Sequence, residues 1–192
     1  MVEDIGSYSY EEEFGALAAV YKRFFVADLF ETPFEDNSVD NVYTSHALEP
    51  NGGHEQELLT ELFRITAGYL ILFEPIFEFA SEEGKKRMMS HRYVRNLKQC
   101  AEKLGYTIIR CEKLCVSQNE LNPTGVIVIE KHGQTNNAGL CDPVSKKELN
   151  EYGDCFYCEA SMLAYPKING IPCLTRQNAV LATKFREGQL LR

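Results

Sequence analysis

His46 and Glu49 are a pair whose types and spacing suit proton transfer. An imidazole changes charge near neutrality, and a carboxylate close by can orient the ring and steady its cationic form. Ser45 precedes the pair. Asp28 ends the apolar run Phe24–Ala27, and Glu74-Pro75 ends the run Tyr69–Phe73. Each of these polar groups therefore follows a short apolar segment. Strands whose carboxyl ends carry polar side chains are what an open α/β sheet uses to build a ligand crevice. Plainer readings stay open beside this one. Asp28 can cap a turn after its strand, His46 can be bonded into its own loop, and Glu49 can be a loop acid before Pro50.

The seven cysteines form a second set. The first residues, MVEDIGSYSYEEE, lack a basic start and an apolar stretch, so no signal peptide is expected and a cytoplasmic location is. Thiols or metal ligands are then expected rather than a disulfide framework. Cys100, Cys111 and Cys115 lie on apolar-patterned segments and are expected as small core residues. Cys155-x-x-Cys158 reads as one knuckle of a structural zinc site. Zinc needs four such ligands held tetrahedrally, and Cys141 and Cys173 are the candidates to complete the set. The alternative is a metal-free module with buried thiols.

The elements that must position these residues are legible as hydrophobic periods. Residues 11–22 read as a short helix feeding a strand over 24–28, and a second strand runs through Val42–Tyr43. Leu58, Leu59, Leu62 and Phe63 put one apolar face on a helix over 55–66, closed by Gly68. Residues 69–73 are a continuous apolar strand, the pattern of a parallel strand buried on both faces. Met89, Tyr93, Leu97, Cys100 and Leu104 predict one amphipathic helix over 82–104, ended by Gly105. Strands at 106–114 and 124–130 follow, joined by a short turn and so antiparallel. The order predicts α/β layering. Residues 131–140 read as a linker, with a domain boundary near residue 134. Beyond it, Asn169-Gly170 between two apolar runs predicts a tight hairpin.

The stretch FFVADLFETPFEDNSVDNVYTSHALEP (24–50) resembles the middle of the class I S-adenosylmethionine-dependent methyltransferases. In that family a strand ending in Asp, a turn and a further strand leading to a His/Glu-bearing loop follow one another as they do here. The resemblance covers roughly residues 11–131 and implies the third to seventh strands of a Rossmann-like methyltransferase sheet. By it, Asp28 and Leu29 would contact the adenine of S-adenosylmethionine. Ser45 would line its methionine end, His46 and Glu49 the transfer site, and Glu74 the substrate side. The family's glycine-rich loop is absent, since Gly6 and Gly15 are the only glycines before residue 50. Three accounts of this are open: a shortened chain, a partner subunit or oligomer that completes the sheet, or a non-catalytic scaffold derived from the family.

Residues 139–185 resemble the small, mostly-β Trm112-like domain, through Leu163-Ala164-Tyr165-Pro166-Lys167-Ile168-Asn169-Gly170-Ile171-Pro172 and Ala179. Where that family carries its first Cys-Pro-x-Cys knuckle, this chain reads Asp142-Pro143-Val144-Ser145. The division implied is a methyltransferase-like domain at 1–133 and a Trm112-like domain at 134–192. Packing of the second against an exposed apolar edge of the first is a further expectation.

Composition narrows the partners. Residues 1–83 carry 18 Asp/Glu against 3 Lys/Arg. Phosphate neutralisation needs a basic face, so nucleic acid is a poor first candidate for the front half. The exception is a basic cluster at Lys85, Lys86, Arg87, Arg92 and Arg95. The sequence has no apolar run of membrane-spanning length, so no membrane partner is expected. The methyl acceptor is not specified by the sequence.

Overall fold

The computed structural model describes residues 23–115, 119–136 and 139–186. The helix expected over 11–22 and residues 1–5 lie outside them. Along the chain run β1 (Val26–Ala27), β2 (Val39–Ser45), α1 (Glu55–Ile65), β3 (Thr66–Pro75), α2 (Glu82–Ser90), α3 (Leu97–Lys103), β4 (Thr107–Lys113) and β5 (Thr124–Glu130). Five short strands follow: β6 (Asn150–Tyr152), β7 (Cys155–Cys158), β8 (Leu163–Ile168), β9 (Ile171–Leu174) and β10 (Val180–Leu181). The fold is mixed α/β with two sheets.

The first sheet has the order β2-β3-β5-β4. β2 and β3 are parallel, and β5 runs antiparallel to both β3 and β4. The crossover between the parallel strands is α1. It buries Leu58, Leu59 and Leu62 against Leu70, Leu72, Ile127 and Ile129 of the sheet, with Val94, Leu97 and Ala101 completing the core. Among the described residues β2 is an edge strand. Tyr43 on it is 73% exposed, and Asp40 supplies the kind of charge that discourages edge pairing.

Several expectations need correction here. The 24–28 strand does not join the α/β sheet. Val26 and Ala27 pair in parallel with Cys173 and Leu174 of β9, in the second sheet, ordered β1-β9-β8-β7-β6 with β10 on β8. The side chains explain the choice. Phe25 packs into the second core, with Leu140, Leu163 and Ala179, and meets Phe34 edge-on at 5.7 Å. A two-residue strand has little ladder energy of its own, so the sheet that accepts its aromatic neighbour wins.

The single helix over 82–104 is two helices. Arg92 and Asn96 take left-handed backbone conformations, at φ 56° and 59°. The backbone between the helices is spent on the loop after β2: Val94 N donates to Glu49 O at 2.9 Å, and Gly52 N to Arg92 O at 3.0 Å. Gly52 must be glycine there, because a Cβ would lie 2.3 Å from the Arg92 carbonyl. Gly68 does not close α1 either. It sits inside β3, where its missing side chain admits the Asp40 carbonyl. The helix ends instead at Thr66, whose hydroxyl donates to Leu62 O.

The 131–136 segment is no loose linker. Lys131 N and Gly133 N donate to the carbonyls of Gly68 and Ala67, and Asn136 N to Asn37 O. Lys131 Nζ reaches the Phe63 carbonyl at 2.6 Å, a cation placed at the negative end of α1. The Asn169-Gly170 hairpin is as expected, with both residues at positive φ between the paired Ile168 and Ile171. Residues 139–186 pair with no strand at the β2 edge among the described residues; they dock through β1 and α1. Cys100 and Cys111 pack beside the first core, while Cys115 is exposed. No helix among the described residues is long and apolar enough to cross a membrane.

The docking centres on Glu61 of α1. Its carboxylate accepts Thr32 N and Thr32 Oγ1 at 2.7 Å, Arg64 Nη2 at 2.8 Å and Lys146 Nζ at 3.1 Å. Burial pushes this carboxyl up, but the hydrogen bonds from Arg64, Thr32 and Lys146 outweigh it and hold it at about 2. A depressed folded-state pKa adds stability above the ordinary value near 4.5, which is lost as pH falls towards 2. Glu61→Gln should therefore be less stable than the parent at pH 7 and show a shallower loss between those limits. Urea midpoints across that range test it; parallel curves would refute the assignment.

Candidate functional site

The carboxyl ends of β2 and β3 converge on His46. The residue continues β2 by one hydrogen bond, from its N to Phe73 O at 3.0 Å, and then turns the chain at φ 50°. Its imidazole is held at both nitrogens. Nδ1 meets Glu49 Oε2 at 2.9 Å and Nε2 meets Thr124 Oγ1 at 3.0 Å. Glu49 is itself fixed by Asn122 Nδ2, 2.7 Å from Oε1. With the carboxylate ionised, Nδ1 carries the hydrogen and Nε2 is left as the acceptor for the Thr124 hydroxyl. The His46 side chain stays 43% exposed, against 16% for Glu49.

Beneath the loop lies Glu74, fully buried. One oxygen, Oε1, accepts Ala47 N at 3.0 Å and Leu48 N at 3.2 Å. Burial pushes this carboxyl up, and the loop's N–H groups only partly offset it. Its other oxygen has no partner, nor have Thr44 Oγ1 and Asn122 Oδ1. The Thr44 hydroxyl faces Glu74 from the next strand without closing a hydrogen bond of normal length. Orphaned buried polar atoms are uncommon and tend to mark working sites. Three of the seven among the described residues belong to this cluster.

The residues singled out from sequence separate accordingly. His46, Glu49 and Glu74 come together. Ser45 ends β2 beside them, paired with Phe73 and exposed. Glu74 faces the loop backbone rather than open solvent. Asp28 is not in the cluster. It follows β1, and its Oδ1 accepts Phe30 N at 2.9 Å, so the carboxylate caps its own turn. Leu29 packs on the first core. Thr124 and Asn122 were not singled out from sequence. The signal was present in the sheet order: an antiparallel last strand begins where its parallel neighbour ends, and Thr124 pairs with Pro75.

The cysteine set does not assemble. Cys155–Cys158 is a strand, so residues three apart face opposite sides of the sheet instead of pinching one ion. Cys155 Sγ lies 3.5 Å from Tyr152 O, and Cys173 Sγ 3.7 Å from Ile171 O. Burial pushes the Cys141 and Cys155 thiols up. No three His, Cys, Asp or Glu among the described residues group as metal ligands. At the expected first knuckle stands a buried carboxylate. Asp142 accepts Ser145 N at 3.0 Å, Ser145 Oγ and Tyr165 Oη, and Ser145 Oγ lies 3.7 Å from Cys158 Sγ. Burial raises the Asp142 carboxyl, while Ser145, Tyr165 and Ser161 bring it below the ordinary range.

No family model matches the chain, and no curated protein or solved structure matches it.

Asp142→Asn should lower unfolding stability by roughly 1–3 kcal/mol, the range for hydrogen bonds to a buried charge. A strong chelator should leave the thermal midpoint of the parent unchanged. A chelator-sensitive midpoint, or a neutral Asp142→Asn, would mean that the module is organised by something other than this carboxylate.

Proposed function

We propose that the chain is an S-adenosylmethionine-dependent methyltransferase-type protein whose described residues form the acceptor side of the transfer site. One observation carries the reading. The order β2-β3-β5-β4, with only β5 reversed against its neighbours, is what strands four, five, seven and six of the resembled sheet would give. His46, Glu49 and Glu74 lie at the carboxyl ends of its parallel strands, where open α/β sheets bind ligands. In this reading the Trm112-like stretch is an accessory module clamped to α1 through Glu61.

The cofactor's adenine end does not fit these residues. Asp28 spends its carboxylate on Phe30 N, and the sequence holds no glycine-rich loop to let backbone approach a ligand. S-adenosylmethionine supplies an electrophilic methyl group when bound. What the chain's own residues do is hold an acceptor-side base. Glu74 anchors the loop, Glu49 orients His46, and the ring is left half open to solvent. The free edge of β2 is where a partner subunit or second chain would extend the sheet.

A non-catalytic scaffold is the second reading, and the pairing of β1 with β9 favours it, since that strand is lost to the cofactor side. Calorimetric titration with S-adenosylmethionine and S-adenosylhomocysteine separates the two. Saturable binding would support the first reading, and Asp28→Ala then reports whether Asp28 leaves its turn to take part. Absence of heat at millimolar ligand would leave the scaffold.

A further inference from the structure

The His46 cluster has one feature that a simple exposed histidine lacks: its basic nitrogen is chosen in advance. Glu49 takes the Nδ1 hydrogen at 2.9 Å, and Thr124, only 9% exposed, offers its hydroxyl to Nε2 at 3.0 Å. Thr124 opens β5 opposite Pro75, so both backbone neighbours fix its place. The loop is fixed from below by Glu74 and from the side by Val94, leaving the imidazole little freedom to rotate. A histidine built only for packing needs no such two-sided hold, and it would not be left 43% exposed.

We propose that this site takes a ligand bearing an ionisable hydroxyl, a phenol or an enol, and that Thr124 is the residue positioning the base that deprotonates it. The ligand's O–H bond breaks, its proton forms a bond to Nε2, and the electron pair stays on the oxygen. The new imidazolium holds its Nδ1 hydrogen on the Glu49 carboxylate. The Thr124 hydroxyl, released from Nε2, turns its hydrogen onto the oxyanion. Efficient proton transfer wants donor and acceptor of comparable proton affinity, which a phenol offers to an imidazole and an alkanol does not. Glu49 beside the ring and Glu74 beneath the loop are the ionisable groups facing it. The ligand class rests on the His46 cluster being the acceptor side, whereas the proton transfer needs no cofactor.

The test uses para-nitrophenol, whose phenolate is coloured, with the full chain and no cofactor. On binding to the parent protein the probe should ionise roughly tenfold more readily than free in buffer. His46→Gln should bind it without that change, Thr124→Val should lose most of it, and Thr124→Ser should keep it. Ionisation unchanged on binding, no binding at millimolar probe, or a Thr124→Val protein equal to the parent would overturn the proposal. Should Thr124→Val not fold, nitrogen-edited NMR of the parent decides: the Nδ1–H tautomer of His46 is expected, and the Nε2–H tautomer refutes the arrangement. A protein that ionises the probe but binds no S-adenosylmethionine defeats only the methyltransferase reading. The reverse result defeats only this one.

Discussion

One buried carboxylate joins the two halves of this fold. Glu61 points from α1 toward the second sheet and collects donors from three separate segments: Thr32 before β2, Arg64 one helical turn on, and Lys146 in the C-terminal module. Lys146 Nζ also donates to Thr32 O at 3.0 Å, closing the network on itself. Such a cluster gains little net stability over an apolar contact of the same size, because desolvating the charges offsets much of their attraction. Its value is directional. Removing the carboxylate leaves two cations and a threonine facing one another at an interface, which only one relative orientation of the modules was built to satisfy. The same helix buries Leu58, Leu59 and Leu62 in the first core, so module docking and sheet packing share one rigid element.

Much of the α/β half was legible because its signals are periodic and local. The apolar stripe of α1, the unbroken run of β3 and the turn between the last two strands each specify an element without outside help. What escaped was set by distant partners. Nothing in residues 24–28 tells which sheet will accept them; Phe25 finds a second core whose residues lie over a hundred positions away. The break at 91–96 likewise has no Pro or Gly to announce it. It exists because the backbone there is more useful bonded to Glu49, Gly52 and Glu55 than to itself. The cysteine spacing misled for a related reason. A Cys-x-x-Cys is a zinc knuckle only when the chain turns between the thiols, and the pairing of β7 with β6 and β8 keeps it straight.

The candidate site follows the same division. His46 and Glu49 lie three residues apart in sequence and were readable as a pair. Glu74 was readable as a strand end, but its direction was not: it supports the loop from below. Asn122 and Thr124 enter only through the reversed last strand, which brings the amino end of one strand to the carboxyl ends of two others. That reversal lets residues far apart in sequence grip one imidazole from both sides.

A rigid support at this place carries a cost that indicates use. Burying Glu74 with one oxygen unpartnered, and leaving Thr44 and Asn122 each short of a partner, works against stability by an amount that apolar side chains of similar shape would avoid. Asp142 shows that the chain does satisfy a buried carboxylate where structure alone is at stake, giving it donors from Ser145 and Tyr165. Two buried acids in one chain are therefore treated differently. The fully bonded one ties the 142–145 turn to Tyr165 of β8 and holds a module together. The half-bonded one sits under an exposed histidine at the carboxyl ends of the parallel strands β2 and β3, where it holds the loop that carries the ring.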